Sequence, residues 1–396
     1  MRMWIYIVRR VLLLLPIIIG VMTITFVLVN ALPIVDQMQA LYGCTPKACD
    51  YSPGSPLYNR AYAALGFGQP VYTRWAVYMF HALTFNWGTV SAESSVGKSL
   101  LVGVATAGVP VATVFSWLLP YTLELALLSL AIILVVAIPL GNLAAVNRNR
   151  PVDQASRVLS FSGFALPSFL LGSLILIGAV IGIGSLINFG LIHTPWCPSG
   201  ELVYNEFSGS WPTTACFAGD TYPSWLLHSG LQSTPTGFPT IDALIHGNYW
   251  LALDTLIRII LPALVIAFGT IAILLRYVRN SMLEVMNLDF VRTARAKGVE
   301  ESVVVNRHAG RNSLNVTLTV LGLTFAGFLA GFPVIESVFS LNGIGYILAI
   351  AVDNQIGSFD FGVIFGSVIL FTYIIVTANI IVDVLYAYLD PRVRLG

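Results

Sequence analysis

Leu119-Pro-Tyr-Thr-Leu-Glu-Leu-Ala-Leu-Leu-Ser-Leu-Ala-Ile-Ile-Leu-Val-Val-Ala-Ile-Pro-Leu-Gly-Asn-Leu-Ala-Ala-Val146 carries a single charge, Glu124, near its start. About 20 apolar residues suffice for a helix to cross the hydrocarbon core of a bilayer, so this stretch reads as a membrane span. Five further runs read the same way: Val11 to Leu32, the residues after Arg157 to Ile187, Leu251 to Tyr277, the residues after Asn312 to Ile335, and Gly362 to Tyr388. Composition agrees. Of 396 residues, 57% are hydrophobic and 10% charged, and the mean hydropathy is +0.82. A soluble domain carries roughly 25% charged residues, and a soluble chain of this length could not hide so much apolar side chain. The net charge of +1 offers no basic surface for nucleic acid.

The first run could be a secretory signal, whose apolar core spans about 7–15 residues. Val11 to Val29 is uncharged and longer, which favours an uncleaved first helix. Ser99 to Leu123 is also uncharged and would make a seventh span. Basic residues argue against it, because loops left in the cytoplasm retain Lys and Arg. With six spans and an inside N-terminus, the inside segments hold Arg2, Arg9, Arg10, Arg148, Arg150, Arg157, Arg276, Arg279, Arg292, Arg295, Lys297, Arg307, Arg311, Arg392 and Arg394. Outside fall Lys47, Arg60, Arg74 and Lys98, and none between Asn188 and Trp250. A seventh span would invert this pattern. Gly103, Gly108, Pro110 and Pro120 instead suit an interfacial or re-entrant segment.

The expected organisation follows: residues 1–32, cytoplasmic N-terminus and span one; 33–118, an extracellular segment; 119–187, spans two and three; 188–250, an extracellular insert; and 251–396, spans four to six with a cytoplasmic loop at 287–308. The fold class is an all-α polytopic membrane protein of six transmembrane helices, with an exterior cap of loops, turns and short strands. Both termini fall in the cytoplasm, and the expected location is the cell membrane. The insert gathers Trp196, Trp211, Trp225 and Trp250. These suit the core of a small cap, membrane-interface anchors or a docking face.

Cys44, Cys49, Cys197 and Cys216 all lie in the two external segments. Thiols facing an oxidising exterior tend to pair, and the simplest pairing is Cys44–Cys49 with Cys197–Cys216. A four-cysteine zinc site is the rival, although the spacings match no standard zinc pattern.

No catalytic residues and no metal ligands stand out. The string Ser95-Val-Gly-Lys-Ser99 ends like a phosphate loop but has Ala92 where such a loop needs glycine. The ionisable residues of the spans, Glu124, Asp254, Arg258 and Asp383, lie near span ends, whereas an ion-coupled carrier usually needs charges at mid-membrane. The chain has no energy source of its own.

One cytoplasmic loop could receive it. Asn287-Leu-Asp-Phe-Val-Arg-Thr-Ala-Arg-Ala-Lys-Gly298 reads as a short basic helix, capped by Asp289 and broken by Gly298. Val299-Glu-Glu-Ser-Val-Val-Val-Asn-Arg-His308 then resumes a helical pattern leading into span five. Such a knob could carry rigid-body motion into the spans, or be a solvated loop. Here the sequence resembles the "EAA" coupling loop of ABC importer permeases, in the version of the oligopeptide and dipeptide permeases. Arg292-Thr-Ala294 occupies the E-A-A positions and Gly298 the motif glycine, while Val316 stands where a proline is frequent. Tyr6 to Pro16, Leu65 to Pro70, Leu119 to Ala126, Ile138 to Ala145, Arg150-Pro-Val-Asp153, Leu166-Pro-Ser-Phe169, Gly331 to Phe339, Asn342-Gly-Ile-Gly345 and Asp390-Pro-Arg-Val-Arg394 resemble the family in order along the chain.

The resemblance implies a permease, not an enzyme, forming half of a translocation path. Its implied partners are a second homologous permease subunit, two ABC ATPase subunits and an extracellular substrate-binding protein, within membrane lipid. The chain itself binds no cofactor; ATP and Mg belong to the ATPase subunits. Coupling is assigned to Asp289, Arg292, Thr293, Ala294, Arg295, Lys297 and Gly298. Small or polar positions of the spans, Ser160, Gly163, Ser168, Thr317, Thr324 and Gly327, are candidates for lining the path or for close helix packing. Peptides are the family's usual cargo, oligosaccharides and metal chelates its alternatives, and an ion-coupled carrier is the rival class.

Overall fold

A computed structural model of the chain describes residues 3–35, 37–38, 49–91, 94, 96, 100–101, 104–188, 236–245, 247, 249–313, 317, 320–321, 331–352 and 360–389. Helix α1 (Met3–Ala31) is followed by α2 (Pro56–Ala64) and α3 (Val71–Leu83). An antiparallel ribbon comes next, β1 (Leu100–Leu101) with β2 (Val104–Ala105), in the register Leu100 to Ala105 and Leu101 to Val104. The long helices are α4 (Val111–Val146), α8 (Tyr249–Met286) and α13 (Phe361–Leu389). Between them lie α5 (Pro151–Ala165), α6 (Ser168–Asn188), α7 (Pro239–Ile245), α9 (Asp289–Ala296), α10 (Glu301–Val303), α11 (Phe332–Val338) and α12 (Ile344–Val352).

Among the described residues, Val111–Val146, Ile259–Met286 and Phe361–Ile381 are long and apolar enough to cross a membrane. The pair Pro151–Gly163 and Ser168–Ala179 makes a fourth if counted as one span, although its halves are bent by 106°. These correspond to expected spans two, four, six and three, and α1 covers the first. Most of the fifth lies outside the described residues. Side chains on α4 that a soluble protein would hide stand open, among them Leu127 and Val135, the latter 71% exposed. That is the surface of an all-α polytopic membrane protein.

Three boundaries differ from the sequence reading. The second span begins earlier, at Val111, because the turn at Gly108 (φ +74°) and Pro110 feeds straight into the helix; Val111–Leu118 thus forms the first turns of α4, after the ribbon of β1 and β2. The fourth continues past Tyr277 to Met286. The third is not one helix: Pro167 pushes the residue before it out of the helical region, and Leu166 is extended at φ −94°, ψ 118°.

The core is built where α4 packs on α8, around Leu125, Ile133, Ala137, Ala263, Ala267, Leu274 and Val278. Small residues set the approach. A Cβ at Gly141 would lie 2.6 Å from Val278 Cγ1, and one at Gly163 on α5 would lie 2.3 Å from Ala272 Cβ. Overpacking of this kind costs about 1–3 kcal/mol. Gly163→Ala should therefore lower the thermal denaturation midpoint, and Ala272→Gly in the same chain should restore it. A Gly163→Ala variant as stable as the parent would dismiss the close contact.

Two buried carboxylates hold short elements in place. Glu336, 1% exposed, accepts hydrogen bonds from the Gly345 (2.6 Å) and Tyr346 (3.3 Å) backbone N–H groups, capping the start of α12. The Ile344 N–H donates to Thr122 Oγ1 on α4 at 2.9 Å. Asp360 caps α13 through the Val363 N–H and also takes the Ser91 N–H (2.8 Å) and the Ser94 hydroxyl (2.9 Å). It thereby ties the segment after α3 to α13.

Cys49 is disulfide-bonded. Cys44, Cys197 and Cys216 lie outside the described residues, as do the pairings assigned to them and the tryptophans Trp196, Trp211 and Trp225.

Candidate functional site

Helix α9 follows α8 after two residues and projects from its end. It is amphipathic, as its sequence requires: Val291 is the residue it buries, set with Met282, Val304, Ala309 and Ala145 in a small apolar cluster. Ala145 comes from α4 and Met282 from α8, so α9 is seated on the ends of both core helices. Its other face is open. Leu288 is 50% exposed and Phe290 40%, and the Arg292 side chain is largely in solvent.

Asp289 does not cap this helix. Leu288 is extended (φ −74°, ψ 152°) and takes the cap position without a side-chain hydrogen bond. That makes Asp289 the first helical residue, with its carboxylate 3.7 Å from Arg292 Nη1. It still favours the helix by facing the positive end of the dipole. The Thr293 hydroxyl donates to the Asp289 carbonyl at 2.8 Å.

Gly298 ends the helix at φ +75°, a conformation that glycine adopts without penalty. The turn is closed by backbone bonds from Lys297 to Thr293, from Gly298 to Arg295 and from Val299 to Ala294. Beyond it, Glu301 turns back to receive Arg295 in a two-bond fork of 3.0 and 2.6 Å. The fork lowers the Glu301 carboxyl from its ordinary range and raises the Arg295 guanidinium. Because the folded carboxyl is depressed, the fork is present at neutral pH and is lost only as acidification passes that lowered value. The chain then runs through α10 into a π-helical turn, Val304–Ala309. The seven residues assigned to coupling are thus brought together on one short projecting unit.

Beside it sits an ion-pair node that the sequence reading passed over. Asp153, in the first turn of α5, is fully buried. Arg279 of α8 grips it with two nitrogens, Nε on Oδ1 and Nη2 on Oδ2 at 3.0 Å. Arg157 adds a bond of 2.8 Å and the Asn149 N–H another of 2.9 Å. Asn149 itself is left-handed (φ +63°), so the carboxylate fixes the turn between α4 and α5 as well as the distance from α5 to α8.

Among the described residues, the positions assigned to the translocation path do not form one surface. Gly163 meets Ala272 and serves helix packing. Ser160 is 7% exposed, its hydroxyl donating to the Ser156 carbonyl. Ser168 is exposed beyond the bend, and Thr317 is buried, donating to the Ser313 carbonyl at 3.1 Å. Thr324 and Gly327 lie outside the described residues.

The family model for the binding-protein-dependent transport system inner membrane component matches residues 137–395. The chain belongs to that family. The match takes in α5, α8, α9 and the Asp153 node. Curated relatives extend over nearly the whole chain. The permease is similar to the oligopeptide transport system permease protein AppB of Bacillus subtilis, 28% identical over 389 residues covering 98% of this chain and 99% of that one. It is also similar to the probable D,D-dipeptide transport system permease protein DdpB of Escherichia coli K12, 30% identical over 95% of this chain and 94% of that one. The di/tripeptide transport system permease protein DppB of Pseudomonas aeruginosa is 30% identical over 98% of each. This permease is accordingly a multi-pass membrane component of a transport system that works with a binding protein, and not an enzyme.

Proposed function

We propose that the chain is one of two related permease subunits of an ABC importer, and that it forms half of the translocation path for oligopeptides or dipeptides. Two cytoplasmic ATPase subunits, which bind ATP and Mg, work it from inside, and an extracellular binding protein delivers the cargo. The peptide cargo is taken from what the relatives are named for. Both termini and residues 287–308 are cytoplasmic in this reading, which the concentration of 15 of the 20 basic residues on one side supports.

The observation that carries the reading is the build of α9: an open side, with Phe290, Arg292 and Thr293 exposed around it, on a helix whose buried Val291 rests on the ends of α4 and α8. A push on that face is delivered to the two helices that make the core. Arg292, Arg295 and Lys297 supply polar anchoring to the ATPase, and Thr293, Ala294 and Gly298 allow close seating.

A single cysteine at Thr293, an exposed position, tests this in membranes containing the whole transporter. The expected result is crosslinking to the ATPase subunit, its yield changing when ATP is added. Labelling of that cysteine from outside the cell, or no crosslink under any nucleotide condition, would reject the assignment.

A further inference from the structure

A cavity of about 860 Å³ opens between α5 and α8. Arg148, Arg157, Arg276 and Arg279 line it, with Ser160 and Phe161. No carboxylate is among its described lining residues. Asp153 lies behind the wall, held by Arg279 and Arg157. A concave site that brings four guanidinium groups together favours an anion, and the forked guanidinium group suits phosphate oxygens in particular.

The rim says which phosphate. Phe161 is 74% exposed, and Val158, one turn earlier on α5, is 65% exposed. Phe161 is an apolar group of the cationic hollow itself, and Val158 lies one turn from it along the same helix. A free phosphate ion would gain nothing from them, whereas a phospholipid would place its headgroup among the arginines and its acyl chains along the rim. Basic pockets between helices at the membrane surface take anionic lipid headgroups in this way. We infer that this cavity binds the phosphate-bearing headgroup of an anionic phospholipid. The site goes beyond the transport reading and needs neither ATPase nor cargo. If residues 287–308 are cytoplasmic, the lipid is in the inner leaflet.

Native mass spectrometry tests it, using the full chain extracted from vesicles of equal parts phosphatidylglycerol and phosphatidylethanolamine, both alone and with its accompanying subunits. The wild-type chain should retain phosphatidylglycerol preferentially in both forms. Arg148→Gln together with Arg276→Gln should reduce that preference about tenfold, and added inorganic phosphate should not displace the lipid. If the double variant fails to fold, Arg148→Gln decides: Arg148 is exposed and outside the Asp153 node, and its loss should still reduce the preference severalfold. An unchanged preference in a folded variant would overturn the proposal. So would displacement by inorganic phosphate, which would mark a free-anion site, or loss of the lipid when the second permease is present, which would mark a subunit interface.

Discussion

Asp153→Ala is expected to lower stability by about 3–5 kcal/mol, the usual cost of removing one partner from a buried ion pair. The loss should appear as a fall of roughly 5 °C in the thermal denaturation midpoint of the purified chain. The size follows from what remains. Arg279, whose side chain is only 14% exposed, would keep its charge and lose both forked bonds, and the Asn149 N–H would lose its acceptor. Removing both partners should cost less than the sum of the single changes, so the double variant Asp153→Ala/Arg279→Ala should recover part of the midpoint. Additive losses would mean that the two residues act separately. An unchanged midpoint in Asp153→Ala would mean that the node does not hold α5 to α8.

This node explains why a reading of the sequence reaches some of the site and not the rest. Apolar runs are local, so α4, α8 and α13 could be read from letters alone, and so could the knob at 287–308, whose glycine and helical spacing lie within a dozen residues. Asp153 and Arg279 stand 126 positions apart. Nothing in either neighbourhood announces the other: Asp153 reads as one carboxylate in a helix start, and Arg279 as one more positive charge on the inside. Glu336 is similar, because its task depends on Gly345 bringing a turn under its carboxylate.

The errors have the same origin. Hydropathy sums side chains and is blind to the backbone, so it carries the third span through Leu166-Pro167 as if the chain could continue helically there. Asp289 has the chemistry of a helix cap but falls one residue late, because Leu288 already holds the extended conformation that defines the cap. Gly163 reads equally well as lumen or as packing until Ala272 is found 2.3 Å from where its Cβ would be.

Gly298→Val is expected to uncouple the importer: ATP-driven uptake should fall about tenfold or more while the chain still inserts and the ATPase still turns over. No heavy atom lies within 4 Å of a Cβ built at this glycine, so a side chain has room and the penalty is purely conformational. At φ +75°, a residue with a Cβ pays about 1–2 kcal/mol to stay left-handed, and a β-branched one has least reason to. The chain can relieve that strain only by turning elsewhere, and the three backbone bonds from residues 297–299 to 293–295 would be the first to break. With them goes the angle at which α9 leaves the turn toward α10 and the π-helical segment, while Val291 and the core beneath are untouched. A shift of 1.4 kcal/mol in the seated population is already a factor of ten. Gly298→Ala, with no branch at Cβ, should fall between parent and valine variant in uptake. Full ATP-driven uptake in Gly298→Val, measured with transported peptide in right-side-out vesicles loaded with ATP, would remove the lever from the mechanism.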